Sequence, residues 1–529
     1  MDCSVLTVLN NKGVLVRLLE TIAGLRTALS EMGAGQTIGL VPTMGALHLG
    51  HQSLIKRAIA ENDAVVVSIF VNPLQFSPHE DLDRYPRDVE RDYQLCANLG
   101  VKAIFAPTPQ EMGIDPYALA VNLETSLVIP PKMMMTGLCG AFRKGHFEGV
   151  ATIVTKLLNI VQPTRAYFGQ KDAQQLAIIR RLVKDLNLPV EIRSCPIVRE
   201  ASGLALSSRN QYLTPLEQKQ ALVLSRSLQA AKVTFQEGER SRETLMAIAN
   251  AELAKVPEVS VQYLELVDPD TLEPLHRIET AGLLAIAAFV GKTRLIDNVI
   301  LRQRQPIIAI DGPAGAGKST VTRRVAEALN LTYLDTGAMY RAITWLVMRS
   351  RIPLDDEVGI AELVESAHIE FRRTPTQTRV YINNNDVTEA IRTTEVTANV
   401  SAIARLAAVR RVLVRQQQLW GEKGGIVAEG RDIGTNVFPD AECKIYLTAS
   451  VSERARRRLP DLHAQGQTDI DLAELERDIQ QRDYSDSTRA IAPLRQASDA
   501  IEVVTDNLTI EEVTQRILQV YQKALSQSF

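Results

Sequence analysis

Two histidines three residues apart flank Gly50 in Val41-Pro-Thr-Met-Gly-Ala-Leu-His-Leu-Gly-His51, between a strand-like run and a helical one. At a helix entry His48 and His51 can face one phosphate, because a helix N-terminus favours an anion and Gly50 lets the backbone come close. Imidazolium hydrogen bonds would stabilise charge developing on a leaving pyrophosphate. The same string also suits plain packing, or a metal pair that would need a third His, Asp or Glu. Three further strings carry polar side chains of the same use. Ser68-Ile-Phe-Val-Asn-Pro-Leu-Gln-Phe76 ends a strand with Asn72 and Gln75 in a loop. Gly169-Gln-Lys-Asp-Ala-Gln-Gln175 sets Lys171 beside Asp172, and Leu206-Ser-Ser-Arg-Asn210 offers two hydroxyls and a guanidinium suited to polyphosphate. Each string alone reads equally well as a turn, a surface ion pair or a helix cap; their joint presence does not.

A second chemistry begins at Gly312-Pro-Ala-Gly-Ala-Gly-Lys-Ser319, which fits GxxxxGK[ST] between the strand-like run 307–310 and a helical stretch. Backbone N–H groups around Gly312, Gly315 and Gly317 would cradle a β-phosphate, Lys318 would neutralise β/γ oxygens, and Ser319, followed by Thr320, would reach Mg²⁺. No GxGxxG forms there, which excludes a dinucleotide loop. The absence of an NKxD string after Lys318 disfavours a guanine-reading switch. Leu334-Asp-Thr-Gly-Ala-Met-Tyr-Arg341 places Thr336 and Arg341 after a strand, where a second nucleotide could dock. Ala428-Glu-Gly-Arg-Asp-Ile-Gly434 follows another strand. Arg454, Arg456, Arg457 and Arg458, with Arg482 and Arg489, could close over phosphoryl oxygens or could simply be solvated helix surface.

The elements that must position these groups alternate. The short apolar runs 37–41, 64–71 and 103–106 sit between helical patterns at Gln52–Glu61 and Asp88–Leu99, and the pattern continues with a helix over Thr152–Val161 and a strand at Ala166–Phe168. Such alternation predicts βαβ units and parallel sheets. The polar segment 301–305 separates two halves, 1–300 and 306–529, without internal repeats. Of 529 residues, 59 are Lys or Arg and 62 Asp or Glu, giving a net charge of −3 that argues against a general nucleic-acid binder. The apolar share of 45% excludes disorder as the dominant state. Five scattered cysteines without a CxxC pair suit a reducing cytosol. The longest apolar stretch, Ala281–Val290, is too short for a bilayer, and no signal peptide is evident, so the expectation is a soluble cytoplasmic protein without membrane partners.

Residues 1–300 resemble the pantothenate synthetase (pantoate–β-alanine ligase) family of HIGH-motif nucleotidyltransferases. The resemblance runs through VPTMGALHLGH, SIFVNPLQF, DRYPRD (83–88), GHFEGVAT (145–152), FGQKDAQQL (168–176), VREASGLALSSRN (198–210) and TRLIDN (293–298). It implies a Rossmann-like nucleotide-binding domain over about 1–195 and a smaller C-terminal subdomain over about 196–300. The implied reaction has two steps: pantoate and ATP form pantoyl adenylate plus pyrophosphate, and β-alanine then displaces AMP. It further implies ATP held by Met44, His48, His51, Gly169, Gln170, Lys171, Asp172, Val198, Leu206, Ser207, Ser208 and Arg209. His51 would be the proton donor to the leaving group and Lys171 catalytic. Pantoate would lie against Gln75 and Gln175 with Asn72 near them, and such ligases are dimers through the ligase half. Ser202 and Lys144 depart from the usual Asp and Pro, and the Tyr usual after Glu111-Met112 is missing. None of these is an assigned residue.

Residues 306–529 resemble bacterial-type cytidylate kinase, a P-loop nucleoside monophosphate kinase fold. The resemblance rests on IDGPAGAGKST, LDTGAMYR, EGRDIGT, STRAIAPL (487–494) and the stretch Val380–Arg392 running on to Ala402. It implies transfer of a phosphoryl group from ATP, with Mg²⁺, to CMP or dCMP. Thr336, Arg410 and Asp432 would read cytosine, Arg341 and Arg431 would hold the acceptor phosphate, Arg482 and Asp486 the ribose, and Arg489 would approach the phosphates. Glu429 replaces a commoner Asp, and Asn384 stands where Gly is frequent. For the first half another adenylate-forming transferase stays open; for the second, another small-molecule kinase or a non-catalytic nucleotide-binding module.

Overall fold

A strand such as Ile38–Thr43, apolar at nearly every position, is satisfied on both faces only inside a sheet covered on both sides. The computed structural model has that arrangement twice. It describes every residue except 1–6, 10–14, 34, 77–81, 83–84, 115–124, 304, 374–377, 465–470, 489–491, 498 and 529. The chain divides into two units, Met1–Gln303 and Arg304–Phe529.

In the first unit a seven-stranded sheet runs in the order Thr7–Leu9, Leu15–Leu19, Ala103–Phe105, Ala64–Ile69, Ile38–Thr43, Arg165–Gly169, Glu191–Cys195. All neighbours are parallel except the first pair. Alternate residues feed opposite layers: Leu40, Val66 and Phe168 join one core, Val41, Val67 and Tyr167 the other. The chain reverses direction across the sheet between Ile38–Thr43 and Arg165–Gly169, and a doubly wound sheet offers its crevice at the carboxyl ends there. Beyond Cys195 the helices Pro215–Gln236 and Arg242–Leu253 pack on an antiparallel sheet of Val259–Val267, Ala281–Val290 and Thr293–Arg302. The longest apolar stretch of the sequence is thus the middle strand of a packed sheet, and no described helix is long and apolar enough to cross a membrane.

The second unit has a parallel sheet in the order Thr332–Asp335, Gly424–Gly430, Gln305–Asp311, Cys443–Thr448, Ile501–Val504. A small antiparallel sheet, Ile369–Arg373 with Thr378–Ile382 and Asn385–Asp386, turns through Asn383 and Asn384, whose φ values of 47° and 67° are left-handed. Asparagine tolerates that conformation, so the Asn384 departure is accommodated.

Several boundaries differ from expectation. The helix expected from Gln52 begins at Leu49 because His48 itself caps it. The one expected from Thr152 begins at His146, directly after the left-handed Gly145. Of the polar segment 301–305, Leu301 and Arg302 close one strand and Gln305 opens the next. Leu301 is buried while Arg302 is exposed, an edge-strand alternation that reads as a linker, and Thr293–Arg302 is followed closely by Gln305–Asp311.

Candidate active sites

The helix Leu49–Glu61 opens on the two histidines. His48 Nδ1 accepts from the Gly50 N–H at 3.1 Å, and His51 Nδ1 accepts from the His48 N–H at 3.3 Å. A ring nitrogen that accepts carries no proton, so the neutral rings are protonated at Nε2. The ring centroids are 4.1 Å apart. Burial, then Lys171, lowers His48 to about 4; burial, then His48 and Lys171, lowers His51 to about 3. The expected imidazolium pair is therefore a pair of neutral Nε2–H donors near pH 7. The room left by Gly50 is also used differently, since a Cβ there would stand 2.8 Å from His48 Cε1. The glycine admits the imidazole rather than a ligand. Both Nδ1 atoms are committed to backbone, and no group of three His, Cys, Asp or Glu able to hold a metal occurs among the described residues.

A cleft of about 240 Å³ at the sheet's reversal point gathers the other expected residues. Met44, Asn72, Gln75, Gly169, Lys171, Asp172, Gln175, Val198 and Leu206 line it with Ser207, Ser208 and Arg209; Gln170 does not. The carbonyls of Gln170 and Lys171 instead accept from Asn298 Nδ2, at 3.0 and 2.9 Å. Neighbouring Asp297 makes two bonds to Arg199, at 2.7 and 2.9 Å. Asn298, quoted in a motif without a role, thus holds the Lys171 turn.

Asn72 is buried and fully used. Its Oδ1 accepts from Leu74 N–H, and its Nδ2 donates to Gly149 O at 3.1 Å and Gln75 Oε1 at 3.2 Å, while Gln75 Nε2 meets Met44 Sδ. Asn72 is a turn cap and an aiming device for Gln75 together. The turn is braced from behind, since Arg143 bonds His146 Nε2 at 3.0 Å and His146 Nδ1 reaches Gln75 O at 2.7 Å. A Cβ at Gly149 would meet Leu74 O at 2.3 Å, so that helix must be glycine where it crosses the turn.

In the second unit the loop after Gln305–Asp311 carries Gly312, Gly315 and Gly317 at φ 150°, 78° and 86°. A Cβ at Gly312 would lie 1.9 Å from Leu447 O. Lys318 Nζ donates to the carbonyls of Gly312 and Pro313 at 2.8 and 2.7 Å, and burial draws its ammonium well below the usual lysine range. Ser319 Oγ donates to Glu429 Oε2 at 3.0 Å, and Tyr333 OH donates to the other oxygen of that carboxylate. Asp311, pushed up to about 6 by burial, accepts from the N–H groups of Ile433 and Gly434, both at 2.7 Å, at the head of a π-helical turn Ile433–Val437.

Lys318, Ser319 and Thr320 open onto a cleft of about 1170 Å³ shared with Gly315 and Gly317. Its far side is lined by Thr336, Arg341, Arg410, Arg431, Asp432, Arg482 and Asp486. Gly312, expected at the phosphates, does not line the cleft, and Arg489 lies outside the described residues. Three of these arginines are held by carboxylates: Arg410 by Asp432, Arg431 by Asp486 at 3.0 Å, Arg341 by Asp335 at 3.2 Å. Thr336 Oγ1 donates to Glu429 O at 2.6 Å, which leaves its oxygen as an acceptor. The arginine cluster separates by burial. Arg454, Arg457 and Arg458 all line the cleft, but Arg454 is buried on Asp483, Ala449 O and Ala314 O and buttresses the loop, while Arg456 is exposed outside it. Sequence reasoning gives Glu429 no role, because nothing in its local spacing shows that it meets Ser319.

The family model of pantoate-beta-alanine ligase matches residues 17–300, and that of cytidylate kinase matches residues 308–523. The bifunctional pantoate ligase/cytidylate kinase of Trichormus variabilis is 59% identical over 536 residues, covering 97% of this chain and all of its own. The protein of that description from Synechocystis sp. is 59% identical over 514 residues, covering 96% and 99%. The solved pantothenate synthetase from Thermus thermophilus is 45% identical, with a TM-score of 0.49, over 53% of this chain and 98% of that one. With each half matched to one family and relatives of the same two-part build aligned almost end to end, this chain belongs to the bifunctional pantoate ligase/cytidylate kinases and has both activities.

Proposed function

We propose that the first cleft holds ATP against His48, His51, Met44 and Lys171, with pantoate on Gln75 and Gln175. The observation that carries this is the convergence of these side chains with Ser207, Ser208 and Arg209 on one cleft at the reversal point of the sheet. The pantoate carboxylate attacks the α-phosphorus, the bond to pyrophosphate breaks, and the amine of β-alanine then displaces AMP from pantoyl adenylate. The enzyme contributes position and charge neutralisation rather than a nucleophile. His48 and His51 donate Nε2–H bonds to phosphoryl oxygens. The arriving negative charge raises their proton affinity, so His51 takes up a second proton when ATP binds, giving up the bond its Nδ1 accepts from the His48 N–H, and as imidazolium gives a proton to the leaving pyrophosphate. Neutral amides satisfy the hydroxyls and carboxylate of pantoate without placing a second charge beside it. The test is Gln175→Ala: KM for pantoate rises about tenfold or more, in keeping with the loss of a buried hydrogen bond, and KM for ATP stays near its parental value. A rise for ATP alone rejects the assignment.

In the second cleft the glycine loop and Lys318 take the ATP phosphates. Arg341 and Arg431 take the acceptor phosphate, Arg482 and Asp486 the ribose, and Thr336, Arg410 and Asp432 the cytosine. Ser319 Oγ beside the Glu429 carboxylate is an all-oxygen pair of the kind a hard cation prefers, and these two would hold Mg²⁺. Mg²⁺ there would shield the β/γ oxygens during transfer. Apolar side chains exposed on the ligase unit, among them Ile129, Met133 and Phe142, support a homodimer through that half. The reduced, buried cysteines 96, 139, 195 and 443 suit a cytoplasmic setting.

A further inference from the structure

Between Met44 and His48, which both line the ligase cleft, the backbone makes an uncommon turn. Gly45 and the following Ala46 are both left-handed, with φ of 81° and 52°. A side chain with a Cβ seldom adopts this conformation unless its surroundings impose it. What imposes it here is Asp92, on the helix Val89–Leu99. Its carboxylate is 1% exposed and takes the Ala46 N–H on Oδ2 and the Leu47 N–H on Oδ1, each at 2.8 Å. Gly45 fits closely against the same group, since a Cβ there would stand 2.9 Å from Asp92 Oδ2. Two successive N–H groups turned to one side form a concavity suited to an anion. In this turn the protein's own carboxylate fills it, so these N–H groups are not available to a phosphate.

We infer that Asp92 is a positioning residue of the ligase: its carboxylate latches the Gly45–Ala46–Leu47 turn in a conformation it would otherwise leave, and so sets Met44 and His48 at the distance ATP requires. The inference rests on the assignment of this cleft to ATP. A purely structural role, pinning the helix Val89–Leu99 to the sheet, would lower stability without preferring one substrate. A latch acts through ATP and is relieved when the turn no longer needs holding. Asparagine in place of Asp92 keeps the shape, removes one acceptor and points an amide donor at a backbone N–H.

The experiment measures pantothenate formation and CDP formation on the same full-length protein, so the kinase reports that the chain is intact. Asp92→Asn raises KM for ATP about tenfold or more, with KM for β-alanine and CDP formation unchanged. Ala46→Gly alone changes ligase kinetics by less than about twofold, since glycine adopts the left-handed turn freely. Added to Asp92→Asn it restores about threefold or more of the lost kcat/KM, because the strain the carboxylate offsets is gone. Normal ATP kinetics in Asp92→Asn, or losses in the pair that merely multiply, overturn the latch. Should Asp92→Asn fail to fold, Gly45→Ala presses on the same carboxylate from the turn and must raise KM for ATP; an unchanged value overturns the latch equally. His48→Ala separates the two levels. A KM for ATP moved by His48→Ala but not by Asp92→Asn rejects Asp92, and one moved by neither rejects the ATP assignment beneath it.

Discussion

The cleft of the ligase unit is lined by neutral imidazoles and amides whose directions are set by hydrogen bonds within the protein. The cleft of the kinase unit is lined by guanidinium groups, three of them bound to carboxylates. His48 and His51 are aimed by their own helix entry, and Gln75 by Asn72. Arg410, Arg431 and Arg341 are each held by an acid. On the proposed assignments both would handle ATP, but they would divide the work differently. In the first, little has to move before a phosphate is bonded, and charge appears on the protein only when substrate brings it. In the second, a substrate must displace or share ion-pair partners, so recognition is an exchange of acids between protein and ligand.

The sharpest way to break this comparison is to remove the one cation of the kinase loop that is held by carbonyls rather than by an acid. Lys318→Met keeps most of the volume and deletes the charge offsetting the transferring phosphoryl group, and CDP formation should fall roughly 10³-fold or more. Pantothenate formation measured on the same protein should stay within about twofold, as expected for distant independent sites. Loss of both without unfolding would show that the two sites are not independent.

A smaller effect tests the exchange itself. Asp432→Asn leaves the buried Arg410 without its anion, so the kinase unit should lose about 3–5 kcal/mol of stability. The amide can donate to the uracil carbonyl as well as accept from the cytosine amine, so the CMP-to-UMP ratio of kcat/KM should fall about tenfold, the scale of one hydrogen bond. Initial rates with the two nucleotides decide it, and a retained ratio removes Asp432 from base reading.

The smallest effect has opposite signs in the two units. His48 and His51 titrate near 4 and 3 when folded against an ordinary 6.5, so unfolding takes up protons below pH 6.5 and acid weakens the ligase unit through that window. Asp311 titrates near 6 when folded against an ordinary 3.8. The folded kinase therefore holds a proton that the unfolded chain releases, and lowering the pH from 6 towards 4 adds stability there. Calorimetry from pH 7 to pH 5 should show the ligase transition falling relative to the kinase transition by about 5 °C. Two transitions that shift together would contradict these proton affinities.

What could be read from the sequence was whatever repeats with a short period or sits in one contiguous string. The parallel strands were legible because Leu40 and Val41, or Ile307 and Ile308, point to opposite cores and so leave an unbroken apolar run. The glycine loop was legible because three left-handed positions and a lysine fall within seven residues. The charge of the histidines was not, since it depends on burial and on Lys171, more than a hundred residues away. Nor were Asp92, Asn298 and Glu429, whose partners are backbone or hydroxyl groups distant in sequence: no local spacing marks a carboxylate that accepts from two amides rather than from water. The arginine run 454–458 shows the same limit, because a helix turns Arg454, Arg457 and Arg458 to the cleft and Arg456 to solvent.

The strand Gln305–Asp311 lies at the centre of its sheet, hydrogen-bonded to Gly424–Gly430 on one side and Cys443–Thr448 on the other. It is also the first part of the kinase to be synthesised. By then the last strand of the ligase, ending at Arg302, has been made, so the N-terminal enzyme can fold at once. Its neighbour cannot. At about 5–20 residues per second, Ile307, Ile308 and Ile310 wait roughly 6–25 s for their first sheet partner. During that interval the nascent chain presents a finished enzyme followed by a short, β-prone apolar segment. The ordering makes this strand the segment of the kinase whose protection during translation matters most.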